Sequence, residues 1–346
     1  MSTPSGEQFR AALVREPGAG LAVGELPVVP LGEHEVRVRV LASGVCGADV
    51  ALATTTDADA RYPVVPGHEI AGVVEEIGPG VRGTAVGDRV AVGWFGGSCG
   101  YCDRCRRGDV VHCAQRRVPG RDYPGGWAQY VTVPADAVAH VPSGMDLPTA
   151  APFGCAGVTV FNAIRRANLP AGGTVAVFGV GGLGHLAIQF AAALGHLTIA
   201  IARGTDRREQ SLALGAHHYL DSTENRVAED LNDLGGADLI VYTAAATAPA
   251  AELVRGLALY GQLVMVGVDG GTITVPVAQL VTNGQVLTGH LTGSPLDTEQ
   301  AMAFALAHQI RPIVQTLPLA AAATAVEGLR AGTVRFRSVL LPWEEQ

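Results

Sequence analysis

The chain has 346 residues, a length that predicts two domains, and its 48% hydrophobic and 16% charged residues can form sizeable cores, which excludes global disorder. With 24 basic and 32 acidic residues the net charge is −8, and with no basic run nucleic acid and an anionic membrane surface are excluded as main partners. All 24 basic side chains are arginine, a bias that GC-rich coding would explain, and the absence of lysine excludes a Schiff-base lysine, a Walker lysine and a Tyr-Lys proton relay.

The N-terminal MSTPSGEQFR has no apolar run, so no signal peptide is expected. Residues 35–40 alternate with period two, and 88–92 and 127–133 are also strand-like among Gly and Pro turns, so the first part reads as β-rich. Six cysteines follow an uneven spacing. Cys99, Cys102, Cys105 and Cys113 form C-x2-C-x2-C-x7-C, whose short spacers let four thiolates converge on one tetrahedral ion. An iron–sulfur cluster is the competing reading, but the segment is Gly-rich and charged, and Arg104, Arg106 and Arg107 can offset thiolate charge around a structural zinc. Cys46 and Cys155 are isolated, each in a Gly-containing stretch, with Pro66-Gly67-His68-Glu69 between them. Cys, His and Cys make the open ligand set of a catalytic zinc, although isolated cysteines are also common as small buried hydrophobes.

From about residue 170 apolar strands alternate with helices. Strands are predicted at 174–178, 197–202, 217–220, 238–242, 262–266 and 286–291, with helices at 182–194 and 247–259 among the connections. Six strands with crossover helices predict a doubly wound parallel sheet in an α/β chain. The first strand runs into Gly179, Gly181 and Gly184 of a G-x-G-x-x-G that also holds Gly182 and Leu183, and a long apolar helix follows. Strand, glycine turn and helix together predict a dinucleotide site. The second strand ends in Ala202 and Arg203, where an acidic residue would bind an NAD ribose. Without that carboxylate Arg203 can pair with a 2′-phosphate, which favours NADP(H), or it is merely solvent-exposed and both cofactors are accepted. The stretch 186–202 is interrupted by Gln189, Gly195 and His196, too polar and short to span a bilayer, and a cytoplasmic protein is expected. Beyond residue 296 come a helix at 298–308, a strand near Ile313, another helix and a last strand near Val339.

In GVCGAD, PGHEIAGVVEEIG, the four-cysteine segment, CAGVTVFNA, VFGVGGLGHLAIQFA, LGAHHYLDS, GQLVMVGV and VRFRSVL the chain resembles the zinc-dependent medium-chain dehydrogenase/reductase family. The likeness is to its bacterial alcohol dehydrogenase and cinnamyl-alcohol-dehydrogenase-like branch, and it spans nearly the whole sequence. It implies a GroES-like β-rich catalytic domain over 1–155 and 293–346, with a structural-zinc lobe at 96–114, and a Rossmann domain over 156–292. By motif, Cys46, His68 and Cys155 would bind the catalytic zinc, with Glu69 behind the metal and Asp49 orienting the His68 ring. Thr159 would lie near the nicotinamide and Arg337 would reach the cofactor pyrophosphate, while Leu183, Thr205 and Val266 would complete the cofactor contacts. Trp94 would line the substrate pocket, unless it is a core aromatic. The resemblance further implies two zinc ions per subunit, NADP(H) with NAD(H) possible, a small alcohol or carbonyl substrate, and a homodimer or homotetramer.

Three positions depart from the family pattern. Ala48 stands where Ser or Thr usually carries the alcohol proton, Ala51 where His often completes the relay, and Gly47 where His or Arg often lies near the pyrophosphate. A methyl group neither donates nor accepts a proton. The expectation is hydride exchange with an aldehyde or ketone, the proton moving through water or another side chain. Two alternatives are reduction of an activated C=C or C=N bond, and a zinc- and nucleotide-binding sensor or scaffold without turnover.

Overall fold

The computed structural model describes residues 7–344 except Asn225, Thr247 and Asp269. The chain divides into two units, one made of Met1–Cys155, Gly293–Leu306 and Arg311–Gln346, the other of Ala156–Thr292 and Ala307–Ile310.

The first unit is rich in strands. β1 (Gln8–Leu13) and β2 (Ala22–Pro27) form an antiparallel pair. β3 (Glu35–Gly44), β4 (Ile70–Ile77), β5 (Arg89–Val92), β6 (Tyr130–Pro134) and β7 (Val138–His140) build the larger sheet. Val36, Val38 and Val40 alternate along β3 and enter a core with Ile70, Val74, Val90, Val92, Val131 and Val133. Arg37 is also buried, its charge met by Glu76 at 2.9 Å.

The second unit is a six-stranded, all-parallel sheet. Its strands are β8 (Thr174–Phe178), β9 (Leu197–Ala202), β10 (His218–Asp221), β11 (Ala237–Tyr242), β12 (Leu257–Met265) and β13 (Val286–Gly289). The spatial order β10-β9-β8-β11-β12-β13 reverses direction at β8, which is the doubly wound arrangement of a Rossmann sheet. Because both faces are covered, β8, β9 and β11 are apolar on both, with Ala176, Ile199, Ile201 and Ile240 fully buried. Back in the first unit, β14 (Val314–Pro318) pairs parallel with β15 (Arg337–Leu341), which pairs antiparallel with β3.

Several boundaries differ from the periodicity reading. The helix expected over 247–259 is shorter: a helical turn covers Ala250–Leu253, a tighter one Val254–Gly256, and Leu257 already opens β12, while Thr247 lies outside the described residues. Gly256 packs against the Leu231 side chain, where a Cβ would come within 2.6 Å, and the next residue, Leu257, pairs with Ala237 of β11, so the helix ends where the strand begins. Residues 127–129 are not in β6, since Trp127 donates to the Pro66 carbonyl and Gln129 to Arg10 instead. β13 ends at Gly289, and the strand expected near Ile313 begins at Val314. Among the described residues no single helix is long and apolar enough to cross a membrane.

Candidate active site

Sheet pairing explains why residues distant in sequence meet. Cys46 follows the end of β3, and His68 and Glu69 precede β4, its antiparallel neighbour with Ser43 opposite Ile70. β5 pairs with β4 through Val92 and Ile70, and the next residue, Gly93, lies against Gly154. A Cβ on Gly93 would stand 2.0 Å from the Gly154 carbonyl, so only glycine lets the residue before Cys155 approach this strand end. Gly44 N donates to the Glu69 carbonyl at 2.8 Å, and a Cβ on Gly44 would meet Glu69 Oε2 at 2.0 Å. These two glycines leave the space that Glu69 and Gly154 fill, and the motif reading passed over both.

One ligand atom from each of Cys46, His68, Glu69 and Cys155 lies within 4.8 Å of the others. Asp49, fully buried, anchors the group. Its Oδ2 accepts from Cys46 N at 3.0 Å, and its Oδ1 is 2.8 Å from His68 Nδ1 and accepts from Gly67 N at 3.1 Å. This fixes the His68 ring with Nδ1 as donor and leaves Nε2, buried without a hydrogen-bond partner, directed to the thiols. Glu69 Oε1 is 3.5 Å from Arg337 Nη2, and both carboxylate oxygens lack a hydrogen bond. Arg337 Nη1 donates to the Val45 carbonyl at 2.9 Å, so its guanidinium is buried beside Glu69.

The electrostatics are those of a site built around positive charge. The Cys46 thiol is held well below its ordinary pKa by hydrogen bonding to Cys155, against burial, with the His68 and Arg337 charges helping. Cys155 is pushed well up by that same hydrogen bond and by burial. Burial disfavours the His68 cation, but Asp49 and then Cys46 outweigh it and the ring is driven well above its usual value. Burial pushes Glu69 up to about 8 in spite of Arg337. A dication among two thiols and a neutral imidazole resolves these conflicts together. Two soft sulfurs, one nitrogen and an optional carboxylate oxygen are a zinc donor set.

The second metal site is the four-cysteine lobe. Its sulfur–sulfur distances are 3.5 Å (Cys99–Cys113), 3.6 Å (Cys102–Cys105), 3.9 Å (Cys102–Cys113) and 4.0 Å (Cys99–Cys105). Tetrahedral Zn–S bonds of about 2.3 Å place sulfurs about 3.8 Å apart, so the lobe fits one such ion. Backbone N–H groups of Cys99, Cys102 and Gln115 point at the sulfurs at 3.3–3.4 Å, the environment of thiolates. All six cysteines are free of disulfides.

In the second unit the glycine loop closes tightly. Gly179 has φ +93°, and a Cβ on Gly184 would lie 1.9 Å from the Gly179 carbonyl, so the turn can only be glycine-built. The helix Gly184–Ala193 opens directly from it, and Leu183 occupies its first cap. The pattern of an alcohol dehydrogenase GroES-like domain matches residues 32–143, and that of a zinc-binding dehydrogenase matches residues 182–307. An alcohol dehydrogenase, notN, of Aspergillus sp. (strain MF297-2) is 38% identical over 340 residues, 98% of this chain and 99% of its own. One from Geobacillus stearothermophilus is 33% identical, over 96% of this chain and 99% of its own. The chain belongs to the zinc-containing medium-chain alcohol dehydrogenase family.

Solved structures agree with this enzyme class. A cinnamyl alcohol dehydrogenase from Sorghum bicolor superposes with TM-score 0.89 at 30% identity, covering 98% of this chain and all (100%) of its own. A cinnamyl alcohol dehydrogenase from Helicobacter pylori, complexed with NADP(H), gives 0.87 at 25% identity over 96% and 98% of the two chains.

The remaining candidate residues are placed as follows. Gly47, Ala48 and Ala51 are exposed on the helix Gly47–Ala53, whose N-cap is Cys46. Trp94 is half-buried, its N–H donating to the Gly154 carbonyl at 3.2 Å, with the Arg116 guanidinium 4.8 Å above its ring. In the second unit Thr159 is buried, with its hydroxyl 3.5 Å from the Leu291 carbonyl. Arg203 and Thr205 are exposed just beyond β9. Asp221 ends the neighbouring strand and is committed to Gly204 N at 2.7 Å and to Thr223. Val266 is half-buried just past β12, its N–H on the Tyr242 carbonyl.

Proposed function

We propose that the enzyme reduces an aldehyde or ketone with NADPH at the Cys46–His68–Cys155 zinc, without a side-chain proton relay. The observation that carries this reading is the complete donor set, oriented by Asp49, beside methyl groups at 48 and 51. Zinc held by these residues would supply a Lewis acid for the substrate oxygen, and the dinucleotide would supply the hydride. The protein's part is orientation and charge. Asp49 fixes the imidazole tautomer and, through Cys46 N, the first loop. Arg337 keeps Glu69 within the site as a further oxygen donor, able to neutralise charge without leaving its pocket. Ala48 and Ala51 cannot move a proton, and because both are exposed, water reaches the place where a hydroxyl and an imidazole would stand. Losing side-chain acid–base help costs typically about 10²–10⁴-fold, which slows turnover and leaves hydride transfer possible. For the cofactor, the absence of a carboxylate at 202, the exposed Arg203 and the engaged Asp221 support a 2′-phosphate over a bare ribose.

The test is cofactor oxidation by the zinc-loaded enzyme across aldehydes, ketones, enals and imines, with NADPH and NADH in parallel. Aldehyde or ketone reduction, faster with NADPH, is expected. Turnover confined to enals or imines would replace this reading with C=C or C=N reduction, and tight cofactor binding with no oxidation would remove catalysis from it.

A further inference from the structure

A cavity of about 920 Å³ in the first unit is lined by Ala51 and Leu52, by the loop residues Asp57 and Asp59, and by four arginines, Arg61, Arg116, Arg117 and Arg121. None of the residues lining it is a metal ligand, but two of its walls are built from segments next to the ligands. Ala51 and Leu52 belong to the helix capped by Cys46. Gly120, on the wall carrying the arginines, is so close to Pro66, Gly67 and Leu52 that a Cβ would meet them at 3.2–3.3 Å, and Gly67 precedes His68. Arg116 lies over Trp94, whose N–H holds the carbonyl of Gly154, the residue before Cys155.

The charges are unequally placed. Asp122 is committed to Arg121 at 3.0 Å and to Val118 N at 2.7 Å, and Asp57 and Asp59 are exposed at the rim. Arg116 and Arg117 are half-buried. Among the described residues no carboxylate lies within ion-pairing reach of Arg61, Arg116 or Arg117. Arg116 Nη1 donates to the Val111 carbonyl at 2.9 Å, its Nε is buried without a partner, and the Arg117 guanidinium carbon lies 4.7 Å from the centre of the Tyr123 ring. A guanidinium held over a ring can still offer N–H groups to another acceptor, and their fork matches a carboxylate in two-point geometry. In a protein of net charge −8, a cavity lined by four arginines against three aspartates, with three of the arginines outside any ion pair among the described residues, is a local reversal of sign.

We propose that this cavity binds an anionic group of the substrate, so that the alcohol or carbonyl compound bears a carboxylate remote from its reacting carbon. Arg116 and Arg117 set this specificity, with Arg61 at the mouth. The inference rests on the reading of the neighbouring Cys46–His68–Cys155 site as the place of reaction, and its test separates the two.

Two matched pairs are compared on the zinc-loaded enzyme. The reactive pair is 4-formylbenzoate and benzaldehyde, read as kcat/KM. The unreactive pair is terephthalate and its diamide, read by calorimetry. Wild-type enzyme is expected to prefer the carboxylate in each pair by about tenfold or more, and Arg117→Gln and Arg116→Gln to bring the ratio towards one. Arg61→Gln, whose side chain makes only a 3.4 Å bond to the Asp122 carbonyl, is a milder change to the same ratio and guards against misfolding. Equal use of both aldehydes, or a ratio that the substitutions leave alone, overturns the proposal and spares the carbonyl-reductase reading. No turnover of either aldehyde with arginine-dependent terephthalate binding does the reverse. A loss of NADPH affinity with carboxylate preference intact overturns the proposal by assigning the arginines to a cofactor phosphate.

Discussion

Asp49 ties together two of the metal ligands and the turn before them. It holds Cys46 through a backbone N–H, His68 through its ring and Gly67 through its amide. Asp49→Asn leaves the size unchanged but removes the charge that fixes the imidazole, and zinc affinity at this site should fall about 10–100-fold. Chelator competition checks this: the second, four-sulfur ion should be unaffected. A retained affinity would mean that the thiols alone hold the metal. Ala48 offers the opposite experiment, the return of a missing group. Ala48→Thr should raise the rate of alcohol oxidation if proton removal limits it, and stopped-flow NADPH formation would read the change. No gain, or a loss, would point to a reaction in which no hydroxyl proton leaves.

At the scale of elements, the four-cysteine loop is a unit whose protons compete with its ion. Backbone N–H groups of Cys105 and Ala114 pull Cys102 down to about 6, while burial and the neighbouring sulfurs push Cys105 up to about 11. Zinc binds thiolates, so loading the stripped lobe at neutral pH must expel the Cys105 proton, and apparent affinity rises with pH. Below about 6 the Cys102 proton also has to leave, so the dependence steepens there. Competition titrations against a chromophoric chelator should show both slopes, and a flat profile would contradict thiolate ligation. Cys102→Ser should loosen or unfold this loop, whereas Cys46→Ser should abolish turnover without large loss of structure.

For the whole molecule, metal analysis should return two zinc ions per wild-type chain and one in Cys46→Ser, with the survivor in the lobe. Two ions in that variant would place the second metal elsewhere. What could be read from the sequence follows from how local each signal is. The Val36-Val38-Val40 alternation, the glycine loop after β8 and the cysteine spacing are short-range patterns; the reading of β8 matches to the residue, while that of β3 starts correctly and stops at 40, four residues short of its end at Gly44. Residue types suggested Cys46, His68 and Cys155 as a ligand set but left buried cysteines as the alternative, and motif likeness was needed to choose, because their meeting depends on pairing among β3, β4 and β5. Gly44 and Gly93 carried no signal in one dimension, since the groups they admit, Glu69 and Gly154, lie far along the chain. The helix expected through Leu259 failed because long-range pairing of β12 with β11, from Leu257 onward, overrode apolar spacing. The arginine cavity was equally hidden, as Arg61 and Arg116 become neighbours only through folding.

Strand pairing, rather than the ion, assembles the cage that hangs from the ends of β3, β4 and β5. Its donors are therefore waiting when the metal leaves, and dialysis against a chelator should be undone by simple replenishment. The lobe has no such strands: besides its sulfurs it is held by two short helical turns and by Ser98 on Asp136, so emptying it should loosen it more. One vacancy should refill on contact with free zinc, and the other should refill more slowly, as its loop refolds around the ion.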